Sequence, residues 1–337
     1  MRIKPLNSLS KKEKLRCEIN MKKVLVTGGC GFVGTNLVDY LLINTDWKIN
    51  VLDNLSEGKL EYLKSIDNYD ENSVTFFEGD IREDDDIIRS MDDCDYVIHL
   101  AAQTGVIPSI ESPLEDADIN IIGTIKLLQE AVNNKIERFI IASSAAPLGE
   151  QEMPIDENKV PQPLSPYGVS KLACEGYCSA FATSHGMSTV ALRFSNVYGP
   201  NSWHKGSVIA KFIKQVIDGE RPVIFGDGGQ TRDFIHTEDI SQALYKASIK
   251  DLPNNFELFQ VATGEETSVN ELYESINRKM TKMDFEVPEP KYGEERPGEI
   301  YRNYADITKA KEILGYKPEI DLEDGLEETI TWFLDNY

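Results

Sequence analysis

Cysteine is scarce and odd in number, with five thiols (Cys17, Cys30, Cys94, Cys174 and Cys178) in 337 residues. Such scattered usage argues against a disulfide-stapled framework and for a reducing, cytoplasmic compartment. Long apolar runs are also missing. No stretch approaches the roughly 20 residues that a membrane-spanning helix needs, so a soluble protein with no membrane partner is expected. Basic residues are in deficit, since 35 Lys and Arg against 57 Asp and Glu leave a net charge of −22. A surface of that sign repels phosphate backbones and anionic lipid, which argues against nucleic acid as a partner. The chain has no internal repeat and no low-complexity tract. What remains is ordinary globular material, 41% hydrophobic and 27% charged, long enough for one large domain or two unequal ones.

Residues 1–20 read differently from the rest. Arg2, Lys4, Lys11, Lys12, Lys14 and Arg16 face only Glu13 and Glu18, a local charge of +4. With no apolar core this is not a secretory signal, and it reads as a loose basic extension ahead of Met21. From Lys22 onward, short apolar runs alternate with amphipathic segments. The spacing predicts strands at Val24–Thr27, Ile49–Asp53, Val74–Glu78, Tyr96–Leu100, Phe139–Ser143 and Thr189–Phe194. These are nearly continuous in hydrophobicity, as strands buried on both faces must be. Helices are predicted over Phe32–Ile43, Asn120–Val132 and Tyr167–Thr183. Repeated βαβ units imply an α/β fold, a doubly wound parallel sheet with helices on both faces. After Pro200 the rhythm becomes irregular. A further strand and helix are expected within Asp233–Ile249, a strand at Phe259–Thr263, and short helices over Asp306–Tyr337.

The first strand runs into Gly28-Gly29-Cys30-Gly31-Phe32-Val33-Gly34. Glycines allow a tight turn and let backbone approach a pyrophosphate at the N-terminus of the following helix. Asp53 ends the second strand 19 residues after Gly34, the placement of a carboxylate that binds an adenosine ribose. Asn54 and Leu55 offer no cation for a 2′-phosphate, so NAD is expected rather than NADP. Asp80, beside Ile81 after the third strand, is read as facing adenine. Leu100, Ala101 and Ala102 end the fourth strand, where small residues let a cofactor lie against the sheet. His99 reads as a satisfied core histidine, and Cys174 with Cys178 as structural thiols rather than metal ligands; no metal is expected.

Tyr167 and Lys171 are four apart near the start of a helix, which puts both on one face. A phenol ionises near pH 10, and an ammonium beside it favours the phenolate, so the pair can act as a base. Ser144 ends the fifth strand's apolar run at the carboxyl edge of the sheet, where open α/β folds bind ligands.

Together the glycine turn, Asp53, Ser144, Tyr167 and Lys171 resemble the extended short-chain dehydrogenase/reductase superfamily, in its NAD-dependent epimerase/dehydratase group. Segments Asn120–Thr124, Asn196–Pro200, Gly226–Asp233 and Arg296–Glu299 are similar to that family too. The resemblance runs from about residue 22 to 335. It implies a Rossmann-type NAD-binding part at 21–195, to which 226–264 return. It also implies a smaller lobe at 196–225 and 265–337 that binds a nucleotide-diphosphate sugar. Arg232 and Arg296 would then clamp the diphosphate, Asn196 would bond to it, Phe225 would stack on the base, and Asn303 would line the sugar pocket. Asn120 joins the cofactor set by the same resemblance. A homodimer through helices near 120–132 and 167–183 is implied as well.

Related dehydratases and decarboxylases carry an acidic residue beside the active-site hydroxyl, whereas Ser144 is followed here by Ala145 and Ala146. The resemblance is thus closest to UDP-hexose 4-epimerases, which oxidise and re-reduce one carbon. One departure is Pro147-Leu148-Gly149 in place of the family's Val-Tyr-Gly. The alternatives are another nucleotide-sugar enzyme on the same scaffold (dehydratase, decarboxylase, 4-keto reductase or 2-epimerase) and a non-catalytic NAD-binding protein.

Deleting residues 1–20 should leave dinucleotide affinity and turnover within about twofold, because Met21 precedes a complete first strand. Loss of most activity in the truncated protein would refute a loose extension.

Overall fold

A computed structural model describes residues 21–295 and 300–336. The basic extension, Cys17, the Arg296–Glu299 motif and Tyr337 lie outside the described residues. Seven strands, β1 (Lys23–Thr27), β2 (Lys48–Asp53), β3 (Val74–Glu78), β4 (Tyr96–His99), β5 (Arg138–Ser144), β6 (Ser188–Phe194) and β7 (Phe256–Val261), form one sheet. Their order is β7-β6-β5-β4-β1-β2-β3, and every pairing is parallel. The chain therefore reverses its direction of travel across the sheet between β1 and β4, which opens a crevice at their carboxyl ends.

Alternation along each strand sends side chains to both faces. Val24, Val26, Ile98, Ile140 and Val190 meet helices α1 (Phe32–Asn44) and, further on, Thr237–Ile249 on one face. Leu25, Val97, Phe139 and Ile141 meet α2 (Gly123–Asn133) and α3 (Pro166–His185) on the other. Covering both faces removes the polar half of the usual strand pattern, and this is why the strands read as unbroken apolar runs.

A third apolar cluster lies apart from the sheet. It joins Phe212 and Ile213 of α4 (Val208–Ile217), Leu272 and Ile276 of Val269–Lys282, and Leu326, Ile330 and Phe333 of Leu322–Asn336. Two-residue and three-residue ribbons connect it to the sheet, among them Asn196–Tyr198 beside Phe234–His236.

Three expectations differ in detail. β7 starts at Phe256 and ends at Val261, because that window pairs residue for residue with Thr189–Phe194 of β6. Thr263 instead turns away, donating from its amide and hydroxyl to Asp233 Oδ1 at 2.9 and 2.7 Å. The region after Asp306 is a π-helical turn at Ala310–Leu314 and then one 15-residue helix, not a string of short ones. The predicted helix from Asn120 also begins as a π-turn, Asp118–Ile122.

Candidate active site

β1 delivers its chain end into the glycine turn at the crevice. Gly28 adopts φ +72°, and a Cβ there would lie 2.7 Å from the Ala101 backbone nitrogen. A Cβ at Gly34 would lie 2.1 Å from the Gly28 carbonyl oxygen. The turn thus packs against β4's continuation at a distance only glycine allows. α1 starts directly after Gly31, with no side-chain cap and no acidic residue in its first turn. Its leading amides and the positive end of its dipole face the cleft without a protein side-chain acceptor.

The cleft walls contain Gly28, Gly31, Phe32, Val33, Gly34, Asp53, Asn54, Asp80, Ile81, Leu100, Ala101 and Ala102. These are all the expected cofactor residues except Asn120, Tyr167 and Lys171. Asp53 is buried, and it accepts from the Cys30 amide (Oδ2, 2.9 Å) and the Leu55 amide (Oδ1, 2.8 Å). Burial raises its ionisation range while those two amides oppose the shift. Asp80 lies in that wall and is already partnered. Arg82 donates to both its oxygens at 2.9 and 2.8 Å, and Asn54 adds a third bond at 2.9 Å. The guanidinium holds the carboxyl down to about 2, so Asp80 lines the cleft as half of an ion pair rather than as a free acceptor.

Asn120 is buried and is not among the wall residues. Its buried amide donates to Gln103 O and Asp116 Oδ1, both at 3.0 Å, and its oxygen accepts from Gln103 N at 2.9 Å. It therefore fixes the backbone of Gln103, which is in the wall. His99 is the core histidine expected, bonded to Thr27 Oγ1 (2.7 Å) and Thr124 Oγ1 (3.0 Å), with burial pulling its pKa to about 3.

Ser144 ends β5, and its Oγ accepts from the Ala146 amide at 3.2 Å. Tyr167 sits in the first turn of α3, where Pro166 and the Ser165 hydroxyl, accepting from Gly168 N at 3.1 Å, fix the start of the helix. Lys171, one turn on, donates from Nζ to Ala142 O at 2.9 Å, and that ammonium lies 5.9 Å from the Tyr167 ring centroid. This bond ties α3 to β5 two residues before Ser144. Two of the ammonium's three hydrogens remain for other acceptors.

A buried charge pair lies beneath this arrangement. Arg193 of β6 donates to Glu175 of α3 through Nε and Nη2 at 2.8 and 2.7 Å, and the Ser143 hydroxyl donates to the same carboxylate. Arg193 is 2% exposed and Glu175 5%.

Residues 25–329 match the family described as GDP-mannose 4,6 dehydratase. The chain belongs to that family. A putative UDP-glucose 4-epimerase of Methanocaldococcus jannaschii is 40% identical over 318 residues, 93% of this chain and 99% of its own. Among solved structures, the UDP-N-acetylglucosamine 4-epimerase of Methanobrevibacter ruminantium, in complex with UDP-N-acetylmuramic acid, superposes with a TM-score of 0.86. It is 37% identical and covers 94% of this chain and 99% of that one. The Thermus thermophilus UDP-glucose 4-epimerase complexed with NAD gives a TM-score of 0.83 at 30% identity, covering 94% and 100%.

Family membership leaves the substrate-side residues to be placed. Asn196 opens the ribbon that pairs with Phe234, its amide donating to Asp233 O at 3.0 Å. Phe225 closes the short strand Val223–Phe225, and Arg232 Nη1 donates to Thr231 O at 2.7 Å. Asn303 Oδ1 is buried with no hydrogen-bond partner among the described residues. None of these four lines the glycine cleft, and Arg296 is not described. The sequence reading missed Glu175 and Arg193, although each shows as a lone charge inside an apolar pattern. It also missed His204 and Lys205, which enter the cleft wall from a distant loop that no motif marks.

Removing one partner of the buried pair strands the other's charge, so Arg193→Met alone should cost about 3–5 kcal/mol. The double change Arg193→Met with Glu175→Leu should recover most of that in urea unfolding. A double variant as unstable as the sum of both singles would disprove the coupling.

Proposed function

We propose that this chain is an NAD-dependent nucleotide-sugar 4-epimerase acting on UDP-hexoses. The observation that carries the reading is the pairing of Ser144, Tyr167 and Lys171 at the sheet edge with a following segment that cannot move a second proton. Ala145 and Ala146 have no ionisable group, and Ala145 packs against the core. The family's description names a 4,6-dehydratase, but elimination of water needs an additional acid or base at that place. Redox chemistry at one carbon does not.

The cleft suits a dinucleotide. Uncapped α1 amides meet a pyrophosphate, the Gly28 cradle admits it, and Asp53 is oriented toward the crevice by two backbone donors, as an adenosine ribose requires. Arg82 is occupied by Asp80 and Asp118, which fits NAD better than NADP. When bound, NAD⁺ supplies reversible hydride acceptance at the sugar C4, so net redox change is zero. Tyr167 takes the 4-hydroxyl proton, and Ser144 positions that hydroxyl. Lys171 would bond the nicotinamide ribose, with hydrogens of its ammonium not used by Ala142 O.

Residues 21–195 and 226–264 form the dinucleotide part, and 196–225 with 265–337 the sugar-nucleotide part, a division supported by the separate third cluster. There Arg232 and Arg296 clamp the diphosphate, Asn196 bonds to it, and Phe225 stacks on the base. The unpartnered Asn303 Oδ1 suits a donor on the sugar, such as an N-acetyl N–H. The buried free thiols Cys30, Cys94, Cys174 and Cys178 support a cytoplasmic setting.

Purified protein should interconvert C4-epimeric UDP-hexoses, with the N-acetylated pair included in the panel, at constant mass and without added reductant. A product lighter by water or carbon dioxide, or stoichiometric NADH release, overturns the reading. Tyr167→Phe should keep bound dinucleotide while losing about 10²–10⁴-fold in turnover.

A homodimer completes the proposal. Ile107 (67% exposed), Ile110, Leu114 (86%), Ile122, Val169 and Tyr177 leave an apolar surface along residues 106–122 and α3. A surface of this kind marks an interface. Leu114→Asp with Ile107→Asp should convert the dimer to monomer in sedimentation velocity, and an unchanged mass would exclude this face.

A further inference from the structure

The loop from Gly199 to Ser207 leaves the Asn196–Tyr198 ribbon and crosses to the mouth of the cleft before α4 begins. It is braced at several points. Asn36 of α1 donates to Pro200 O at 3.0 Å, and Ser202 Oγ donates to Gly199 O at 2.7 Å. Lys214 of α4 donates to Trp203 O and Lys205 O at 2.9 and 3.3 Å. These bonds place Lys205 in the cleft wall with Gly31, Gly58 and Thr104.

Lys205 is the sole lysine or arginine of that wall among the described residues, facing Asp53, Glu57 and Asp80. Among the described residues its ammonium donates to Thr104 Oγ1 alone, at 3.4 Å, out of three available hydrogens. Burial pulls its pKa down, and Glu57's charge opposes only part of that. Beside it, His204 Nδ1 is buried without a partner among the described residues. A half-exposed ammonium with one long neutral bond and no ion pair among the described residues has hydrogens to offer an arriving anion. The α1 N-terminus offers about half a positive charge, whereas a pyrophosphate brings two negative ones into a chain of net charge −22.

We propose that Lys205 binds the cofactor's pyrophosphate, so that the loop 199–207 straps the dinucleotide against the glycine turn from the sugar-nucleotide side. This rests on the reading that the cleft holds NAD. The ammonium swings from Thr104 to a phosphate oxygen, exchanging one long neutral bond for a charge-assisted one. It gives the cofactor a contact from a residue outside the dinucleotide part.

The test uses the full chain as wild type, Lys205→Met and Lys205→Arg, with matched thermal unfolding midpoints as the check on folding. NADH and ADP-ribose dissociation constants are read by fluorescence and calorimetry, with UDP as a third probe. Lys205→Met should weaken NADH and ADP-ribose alike by about 10- to 100-fold, the worth of a charged hydrogen bond, and leave UDP unchanged. Lys205→Arg should recover most of the loss, since the charge remains. Unchanged NADH affinity in Lys205→Met overturns the assignment, and so does a loss confined to UDP, which would put the ammonium on the substrate diphosphate. A midpoint fall common to Met and Arg, with affinity lost in both, overturns it in favour of a packing role. Wild type without dinucleotide affinity overturns the NAD reading itself, which separates the two failures.

Discussion

The helix that bears Tyr167 and Lys171 is held to the sheet by a carboxylate and a guanidinium from which water is excluded. Glu175 accepts two bonds from Arg193 and a third from Ser143, so β5, β6 and α3 meet on one carboxylate. Taking both charges out of water costs several kcal/mol per ion, and well-packed apolar residues could stabilise the fold as well or better. What an apolar contact could not do is choose one rotation of the helix. A fork-shaped donor satisfies both oxygens of Glu175 in one geometry only. That geometry sets where Lys171 reaches Ala142 O, and so where Tyr167 stands at the end of β5. One Arg193 nitrogen, Nη1, remains buried without a partner among the described residues, a cost accepted for that register.

A second constraint is electrostatic. A strongly acidic chain that takes up dianionic ligands must silence its own carboxylates where the ligand lies. The cleft does this with different means at each position. Backbone amides bond Asp53, and a guanidinium pairs with Asp80. Each device is local, so the global charge of −22 repels nonspecific polyanions without excluding a diphosphate from its own site.

Most of the sheet was legible because burial on both faces writes an unbroken apolar run into each strand. The glycine turn and Asp53 were legible because strand, turn and carboxylate fall at fixed separations within one βαβ unit. Legibility failed where a residue's meaning depends on a partner far along the chain or folded back locally. Asp80 reads as a free carboxylate until Arg82, two residues on, is seen to wrap round it. Asn120 lies in a segment that resembles the family, and nothing in that segment announces its bonds to the Gln103 backbone. Glu175 and Arg193 each break an apolar pattern visibly, but only the packing of α3 on β6 shows that the two breaks are one pair. Lys205 carries no local signal at all, since the cleft it enters is built from the first 120 residues.

The segment after Ser144 shows how a departure in sequence acquires a physical meaning. Leu148 is fully buried in the core, and its amide donates to Ala145 O at 3.0 Å, closing a turn. Gly149 follows at φ +64°, where a Cβ would fall 2.0 Å from the Gln162 carbonyl oxygen. The chain is thus drawn inward at residue 148, and no hydroxyl is presented from that position. Ala145 and Ala146 follow Ser144, both small and without a titratable proton, while Ser143 before it is turned to Glu175. A hydroxyl flanked in this way can orient or relay one proton and has no neighbour to deliver a second.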